Sequence, residues 1–511
     1  MTENATATDD ADPPSRATAV AGRLRRLLRR FDPTLLGLLG FLSLPAYVSD
    51  SLSFLEVFEP FFLFFLWFFV GPIVDMVLAR GADEETEPTD WLQVGRVREF
   101  AVGYLMIPLT FLNPLVMTQD LLQIAGGAAS FLRHRGSFPD SESYEQQVPY
   151  RLPVDGTWTV VNGSPEREYS HSWIYPNQRY AYDVLVTDED GRSRPDGAST
   201  AVENYYCHDE PVVAPADGVV VDSFDAALEA SRGGGFSHPL KRSIPGGHVV
   251  LKHADSEYSF LAHLRPGSVP VEPGQRVERG QEVGRCGHSG NSSEPHLHFQ
   301  IQDGPDFLTA ASLPVQFDDI EVEFPGVAHD PDFVPGYDVW HADDPEDDPE
   351  GYHERTFLVE GQRVTHAGGG DADGSADEGR TGTPAEPTTP GGATGLVAST
   401  LKRAMLGVAV GGVIAFAVGL FASSTVAVGA IAGAAAVALA VRIVAVLRGS
   451  TSRGRTGWFG SPIGFAIAAG AVALGIVVGF ELTVAGLLGY VLVSAAESRR
   501  LRGVSGQPAA S

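Results

Sequence analysis

Hydrophobic residues fall in two patterns along this chain, and the patterns divide it. Towards both ends apolar residues run on with few polar interruptions. In the middle they come in short Val-rich runs broken by Gly and Pro pairs. A helix that crosses a bilayer needs about 20 mostly apolar residues. The stretch Phe54 to Leu78, with its unbroken run from Phe61 to Val70, predicts such a helix. Leu35 to Val48 predicts a second, shorter one that contains Pro45. Phe100 to Met117 carries Pro108, Asn113 and Pro114, so it either spans, re-enters or lies in the interface. Near the C-terminus, Ala404 to Glu497 is rich in Gly, Ala and Val, with Glu481 and Glu497 as its only acids. It predicts four spans, over 404–422, 425–447, 461–480 and 482–496. Pairs such as Gly407 with Gly411 and Gly429 with Gly433 suit close helix packing in lipid. Arg442 is expected to snorkel to an interface and Glu481 to sit at a turn between spans.

The central runs read differently. Val219-Val220-Val221 and Val249-Val250-Leu251 are too short for helices and are β-branched. Turn pairs such as Pro273-Gly274 and Gly246-Gly247 separate them, as in antiparallel hairpins. The expected layout is therefore a disordered N-terminus with a basic stripe over 1–32 and an N-terminal membrane region over 33–132. A mostly β domain over 140–325 follows, then an acidic disordered linker over 330–395 and a C-terminal membrane region over 400–497. The linker is assigned on composition: Asp343 to Glu350 is nearly all acid and proline, and such segments bury too little apolar surface to offset the entropy of ordering.

Charge narrows the partners. With 36 Lys+Arg against 64 Asp+Glu the net charge is -28, which argues against nucleic acid. The only lysines are Lys241, Lys252 and Lys402. An acidic, lysine-poor composition resembles that of salt-loving organisms, and a halophilic archaeon is the expected source. Cys207 and Cys286 are the only cysteines, too few to fix a redox compartment, and whether they pair stays open.

The chemistry concentrates in Glu294-Pro295-His296-Leu297-His298-Phe299, preceded by the loop Cys286 to Ser293. On a strand, residues i and i+2 share a face, so His296 and His298 project into one cleft. Two such imidazoles either share a metal or divide metal binding and proton handling between them. Upstream lie Ser170-His171-Ser172-Trp173, Tyr180-Ala181-Tyr182-Asp183-Val184, Pro211 to Val220, Gly247-His248-Val249 and Leu261-Ala262-His263-Leu264. In this order and spacing the segments resemble the lysostaphin-like, or LytM-type, zinc metallopeptidases, over about residues 150 to 325.

The resemblance implies a mostly antiparallel β domain of duplicated hybrid-motif type, with a groove over one sheet and one Zn2+. It implies His171, Asp183 and His298 as metal ligands, and His263 and His296 beside the metal-bound water as the catalytic pair. One position departs from the commonest family pattern. The first histidine is expected four residues before the aspartate, where Arg179 stands, whereas His171 lies twelve before Asp183. His208 in Cys207-His208-Asp209 is the alternative ligand. His248, His253 and His288 lie off the matched positions and read as structural, and Asp217 reads as a turn residue.

These readings predict a membrane-anchored zinc metalloendopeptidase that hydrolyses peptide bonds by a metal-activated water. Its expected partners are a peptide or protein substrate, the cell envelope being one source, and the lipid bilayer. The alternative is a non-catalytic LytM-like binding or regulatory domain on a membrane scaffold. Sidedness stays open. The basic clusters Arg23 to Arg30, Lys402-Arg403, Arg448 to Arg455 and Arg499 to Arg502 lean towards a cytoplasmic domain by charge bias, and family precedent leans outward.

Overall fold

The computed structural model describes residues 33–47, 50–67, 70–71, 74, 113–167, 170, 172–225, 227–323, 350–368, 393–419, 422–447, 460–476 and 479–502. The chain divides into two compact units, Met1–Glu87 and Pro88–Ser511. In the first, Thr34–Gly37 is α-helical, and Leu38–Tyr47 and Asp50–Leu66 wind as 3₁₀ helices. The predicted spans 35–48 and 54–78 are thus helical where described; most of 67–78 and all of 100–112 lie outside the described residues.

The second unit is built on strands, as the Val-rich pattern predicts. They are β1 (Thr157–Asn162), β2 (Tyr182–Leu185), β3 (Pro211–Val213), β4 (Gly218–Phe224), β5 (Gly247–Ala254), β6 (Glu257–Leu264), β7 (Arg276–Val277), β8 (Glu282–Arg285), β9 (Leu297–Gln302), β10 (Ser312–Leu313), β11 (Phe317–Glu323), β12 (Gly351–Thr356) and β13 (Arg363–His366). Eleven of them make one sheet in the order β12-β11-β13-β1-β2-β9-β6-β5-β4-β7, with β10 on β9, while β3 and β8 pair separately. These strands pair antiparallel throughout.

One difference from the sequence reading concerns the acidic stretch. Residues 330–395 are assigned there to a linker, yet β12 and β13 lie inside it and add to the sheet beside β11 and β1. Val364 and Leu358 reach the main core, which a composition dominated by neighbouring Asp and Glu conceals.

The sheet has two apolar faces, because helices cover the second. Strand β9 shows the alternation: Leu297, Phe299 and Ile301 enter the main core, and His298, Gln300 and Gln302 face the other way. On that other side a second core gathers Val250, Tyr258, Phe260 and Ala262 from the sheet with Leu122, Phe307, Leu308, Tyr490 and Leu501. Leu122 belongs to helix α1 (Pro114–Arg133). Asn113 caps it, its side chain accepting from the Leu115 N–H at 3.0 Å, and Pro114 occupies the first turn, where its missing donor is harmless.

The C-terminal apolar region forms α2 (Ala393–Gly419), α3 (Ser424–Leu447), α4 (Gly460–Ala473) and α5 (Gly479–Leu501). The four predicted spans are therefore four helices with different ends. Helix α2 begins eleven residues before 404, which places Lys402 and Arg403 inside it, and α5 runs on through Arg499 and Arg500. By length and composition Thr394–Gly419 and Gly479–Leu501 suffice to cross a membrane. The 14 residues of α4 rise only about 21 Å, short of a hydrocarbon core of about 30 Å. Small residues let these helices touch: a Cβ on Gly464 would lie 2.0 Å from the Ala404 carbonyl oxygen of α2.

Candidate metal centre

Three adjacent strands bring the predicted residues together. The register sets Asp183 of β2 opposite His298 of β9, and Ala262 of β6 opposite His298 on its other side. His296 stands just ahead of β9, bridged to Gly287 of the preceding loop. His263 would point into the main core if β6 ran regularly, since Leu261 does and alternate residues share a face. It does not, because a bulge inserts it: Gly247 pairs with Leu264 and His248 with Ala262, leaving His263 as the extra residue. Its φ of 62° lies in the left-handed region, which β-strand residues rarely occupy. The bulge turns the ring to the side of Ala262 and returns Leu264 to the core.

The resulting cluster is tight. His298 Nδ1 is 2.8 Å from Asp183 Oδ1, and His296 Nε2 is 3.6 Å from the same oxygen. The His263 ring lies edge-on to those of His296 and His298, with centroids 4.8 and 5.7 Å away. Asn162 Nδ2 donates to Asp183 Oδ2 at 3.2 Å. Asp183, His263, His296 and His298 are each between 4% and 7% exposed.

Hydrogen bonds fix which nitrogen of each ring faces inward. A carbonyl oxygen only accepts, so His263 donates from Nδ1 to Ser289 O (2.8 Å) and His296 from Nδ1 to Glu294 O (2.7 Å). Each leaves Nε2 as the basic atom. His298 is reversed: Nε2 donates to Gln300 Oε1 at 3.2 Å, and Nδ1 turns to Asp183. Burial, then the neighbouring His296 and His298, hold the His263 imidazole well below the usual histidine range, so it is neutral near pH 7.

Asp183 Oδ1 and His298 Nδ1 are thus a carboxylate oxygen and an imidazole lone pair converging on one point. The far side of the ring is held by an amide, the outer support that metal-bound histidines have. This donor pair fits zinc. His171, the predicted third ligand, lies outside the described residues, and among those described no set of three or more His, Cys, Asp or Glu closes a metal cluster. His208, the alternative ligand, faces Glu229 instead, Nε2 to Oε1 3.4 Å.

The other histidines are held within the framework. His253 bonds Asp217 O and Ser259 Oγ, both at 2.8 Å, and burial pushes it down to about 4. His288 bonds Ser292 Oγ and Arg232 O, and burial followed by His296 lowers it to about 4. His248 Nδ1 lies 2.9 Å from Gly246 O. Asp217 Oδ1 accepts from the Arg279 N–H, a turn role. Cys207 and Cys286 are buried free thiols; burial, then Cys207, pushes the Cys286 thiol well up.

One site residue was missed from sequence. Glu360, in the turn ahead of β13, is 6% exposed and is anchored by its N–H to Gly163 O at 3.0 Å, next to Asn162. Its carboxylate makes no hydrogen bond or ion pair among the described residues. Burial first, and Asp183 second, push it up to about 8. It lies in the stretch assigned to the linker, and no local motif marks it.

Comparison with known proteins adds a name to this geometry. Residues 199–308 match the family model described as peptidase family M23. The chain carries an M23-type domain. Peptidoglycan DD-endopeptidase ShyA of Vibrio cholerae is 32% identical over 173 residues, 34% of this chain and 31% of that protein. This chain thus matches under a third of that relative's length. Among solved structures, a zinc-containing peptidase from Vibrio cholerae is 20% identical, with a TM-score of 0.21, over 35% of this chain and 43% of that one. The catalytic domain of lysostaphin from Staphylococcus simulans is 18% identical, with a TM-score of 0.18, over 34% and 90%. The M23 match holds His263, His296 and His298, and Asp183 lies upstream of it.

Proposed function

We propose that this protein is a membrane-anchored zinc metalloendopeptidase. The observation that carries the reading is the convergence of Asp183, His263, His296 and His298 on one point of the sheet from three strands and a loop. Asp183 Oδ1 and His298 Nδ1 would hold the ion, with His171 as the third ligand. When bound, the ion would acidify a water and polarise the scissile carbonyl. His263, neutral and presenting Nε2, would take a proton from the attacking water and return it to the leaving amine. His296, its Nδ1–H tied to Glu294 O, steadies the developing oxyanion through Nε2 once protonated. The helices α2 and α5 anchor the domain to a bilayer, and the substrate is a peptide, with cell-envelope peptides the first class to try.

A second reading, a non-catalytic M23-type binding module, is favoured by one observation: the four site residues are nearly closed to solvent. The two separate in one experiment on the full chain in detergent. Zinc content is measured first, and a peptide library together with cross-linked peptidoglycan peptides is then offered. Zinc with cleavage that His263→Ala abolishes supports the peptidase. Zinc without cleavage supports the module, and a protein that takes up no zinc overturns the metal centre.

A further inference from the structure

The segment that follows β9, Asp303 to Ala310, takes no part in the chemistry above, yet it joins the metal centre to the helices. Phe307 stacks on Phe260 with centroids 4.8 Å apart and planes 20° apart. Both rings stand edge-on to His298, at 6.3 and 6.4 Å. A polar path runs beside this apolar one. Asn177 Nδ2 donates to Phe307 O at 3.0 Å, Gln300 Nε2 donates to Asn177 O at 2.7 Å, and Gln300 Oε1 receives His298 Nε2.

The other side of the segment is gripped by helices. Asp306 Oδ2 takes Lys402 Nζ of α2 at 3.0 Å and the Tyr490 hydroxyl of α5 at 2.9 Å. Lys402 also meets Glu497 of α5 at 2.6 Å. Asp306 Oδ1 accepts from the Leu308 N–H, so the same carboxylate shapes the turn that aims Phe307. Helix α1 holds the start of the segment: Arg133 and His134 each reach Asp303 Oδ2 at 2.7 Å. Its Gly126 lies so close that a Cβ would be 1.9 Å from Leu308 O.

We propose that Asp303 to Ala310 is a positioning element for His298, through which the C-terminal helices set the metal centre. Lys402 and Tyr490 are its positioning residues. They hold Asp306, Asp306 holds Phe307 against the His298 ring, and the Phe307 carbonyl holds Asn177 and Gln300 in line with His298 Nε2. The proposal rests on His298 being a metal ligand. Without Lys402, Asp306 and Glu497 lose the cation they share in a largely buried setting, and the segment loses its fixed place.

The test uses the full chain in detergent, with Lys402→Met, Lys402→Arg and Tyr490→Phe. Two quantities are read: Co2+ affinity with the visible absorption of the bound ion, and hydrogen exchange over 297–302. Lys402→Met is expected to weaken Co2+ binding by about 10–100-fold, the scale for losing an outer support, to alter the absorption band, and to raise exchange over 297–302. Lys402→Arg restores the charge and should return the band towards that of the unmodified protein. Tyr490→Phe, which deletes one hydroxyl, gives a smaller change of the same sign and serves if Lys402→Met does not fold. Unchanged Co2+ affinity and absorption in folded Lys402→Met and Tyr490→Phe overturn the proposal. If the unmodified protein takes up no Co2+, the metal reading fails and exchange decides alone: faster exchange over 297–302 upholds the coupling, and unchanged exchange overturns it.

Discussion

Glu360→Gln should stabilise the metal-free protein, and only at high pH. The buried carboxyl moves from its ordinary 4.5 in the unfolded chain to about 8 in the folded one, through burial and the nearby Asp183. Between those values the unfolded state has lost a proton that the folded state keeps. Stability therefore falls as pH rises from about 4.5, and the whole penalty is present above about 8. A tenfold change in acidity is worth about 1.4 kcal/mol, so the penalty is on the order of 5 kcal/mol at its full extent. With the side chain 6% exposed, solvent screens little of it. Glutamine keeps the volume and cannot ionise. The assay is thermal unfolding of the full chain with a chelator present, at pH 5, 6.5 and 8.5. At pH 5 variant and parent should melt together. At pH 8.5 the variant should melt higher, by about 2–4 °C for each kcal/mol gained in a domain of this size. A variant that gains nothing at pH 8.5, or that shifts equally at all three values, would refute the placing near Asp183 of an ionisable carboxyl with no partner among the described residues.

Asp183→Ala and His298→Ala are each expected to abolish zinc retention by the full chain, measured as metal per protein, because each deletes a donor from the converging pair. His263→Ala and His296→Ala should keep the metal and the fold and lose cleavage by about 10²-fold or more, read as kcat on whichever peptide the library yields. Gln300→Leu removes the acceptor that fixes the His298 ring and should weaken zinc by about 10–100-fold, measured by chelator competition.

The sequence carried a good part of this architecture because its signals were local. The alternation in Leu297-His298-Phe299-Gln300-Ile301-Gln302 is a strand signature, and His298 in that strand and His296 just ahead of it both turn to Asp183. The Gly- and Ala-rich C-terminal runs are helices, as their length and apolarity imply. What escaped depends on distant pairing. Nothing near Tyr182 announces that Asp183 will lie opposite His298, 115 residues on; the family resemblance alone singled it out. The bulge at His263 is a register event between two strands, and no residue in Leu261-Ala262-His263-Leu264 marks it. Strands β12 and β13, which flank β11, sit among acids and glycines, so composition read them as linker, although Val364 and Leu358 complete the core. Helix α1 hides for another reason. Its inward face carries Gln119 and Gln123, whose amides bond Arg242 O and Asn177, so its buried face does not look apolar.

The lysines bear on why the helices and the sheet act together. In a chain with 64 acids and 36 basic residues, where nearly all positive charge is arginine, the three lysines all turn inward. Lys241 and Lys252 are each 1% exposed, and the Lys402 ammonium is enclosed by Asp306 and Glu497. An ammonium is a compact charge with three donors, whereas a guanidinium is a broad planar fork. Lys252 Nζ, on β5, reaches Leu501 O at 2.5 Å and Arg502 O at 3.3 Å, satisfying carbonyls that the end of α5 leaves without helical partners. A positive charge there also suits the negative end of the helix dipole. Lys402 performs a matching task between α2, α5 and the Asp306 turn. Two of the three lysines thus fasten the C-terminal helices to the β domain, beside a shared apolar core that contains Phe260, Phe307 and Tyr490. A domain tethered only by flexible linkers would need neither contact. Under the positioning proposed above, the orientation of His298 is set jointly by the sheet that carries it and by the helices packed behind Phe307, so cutting the β domain free of those helices should loosen the candidate metal centre.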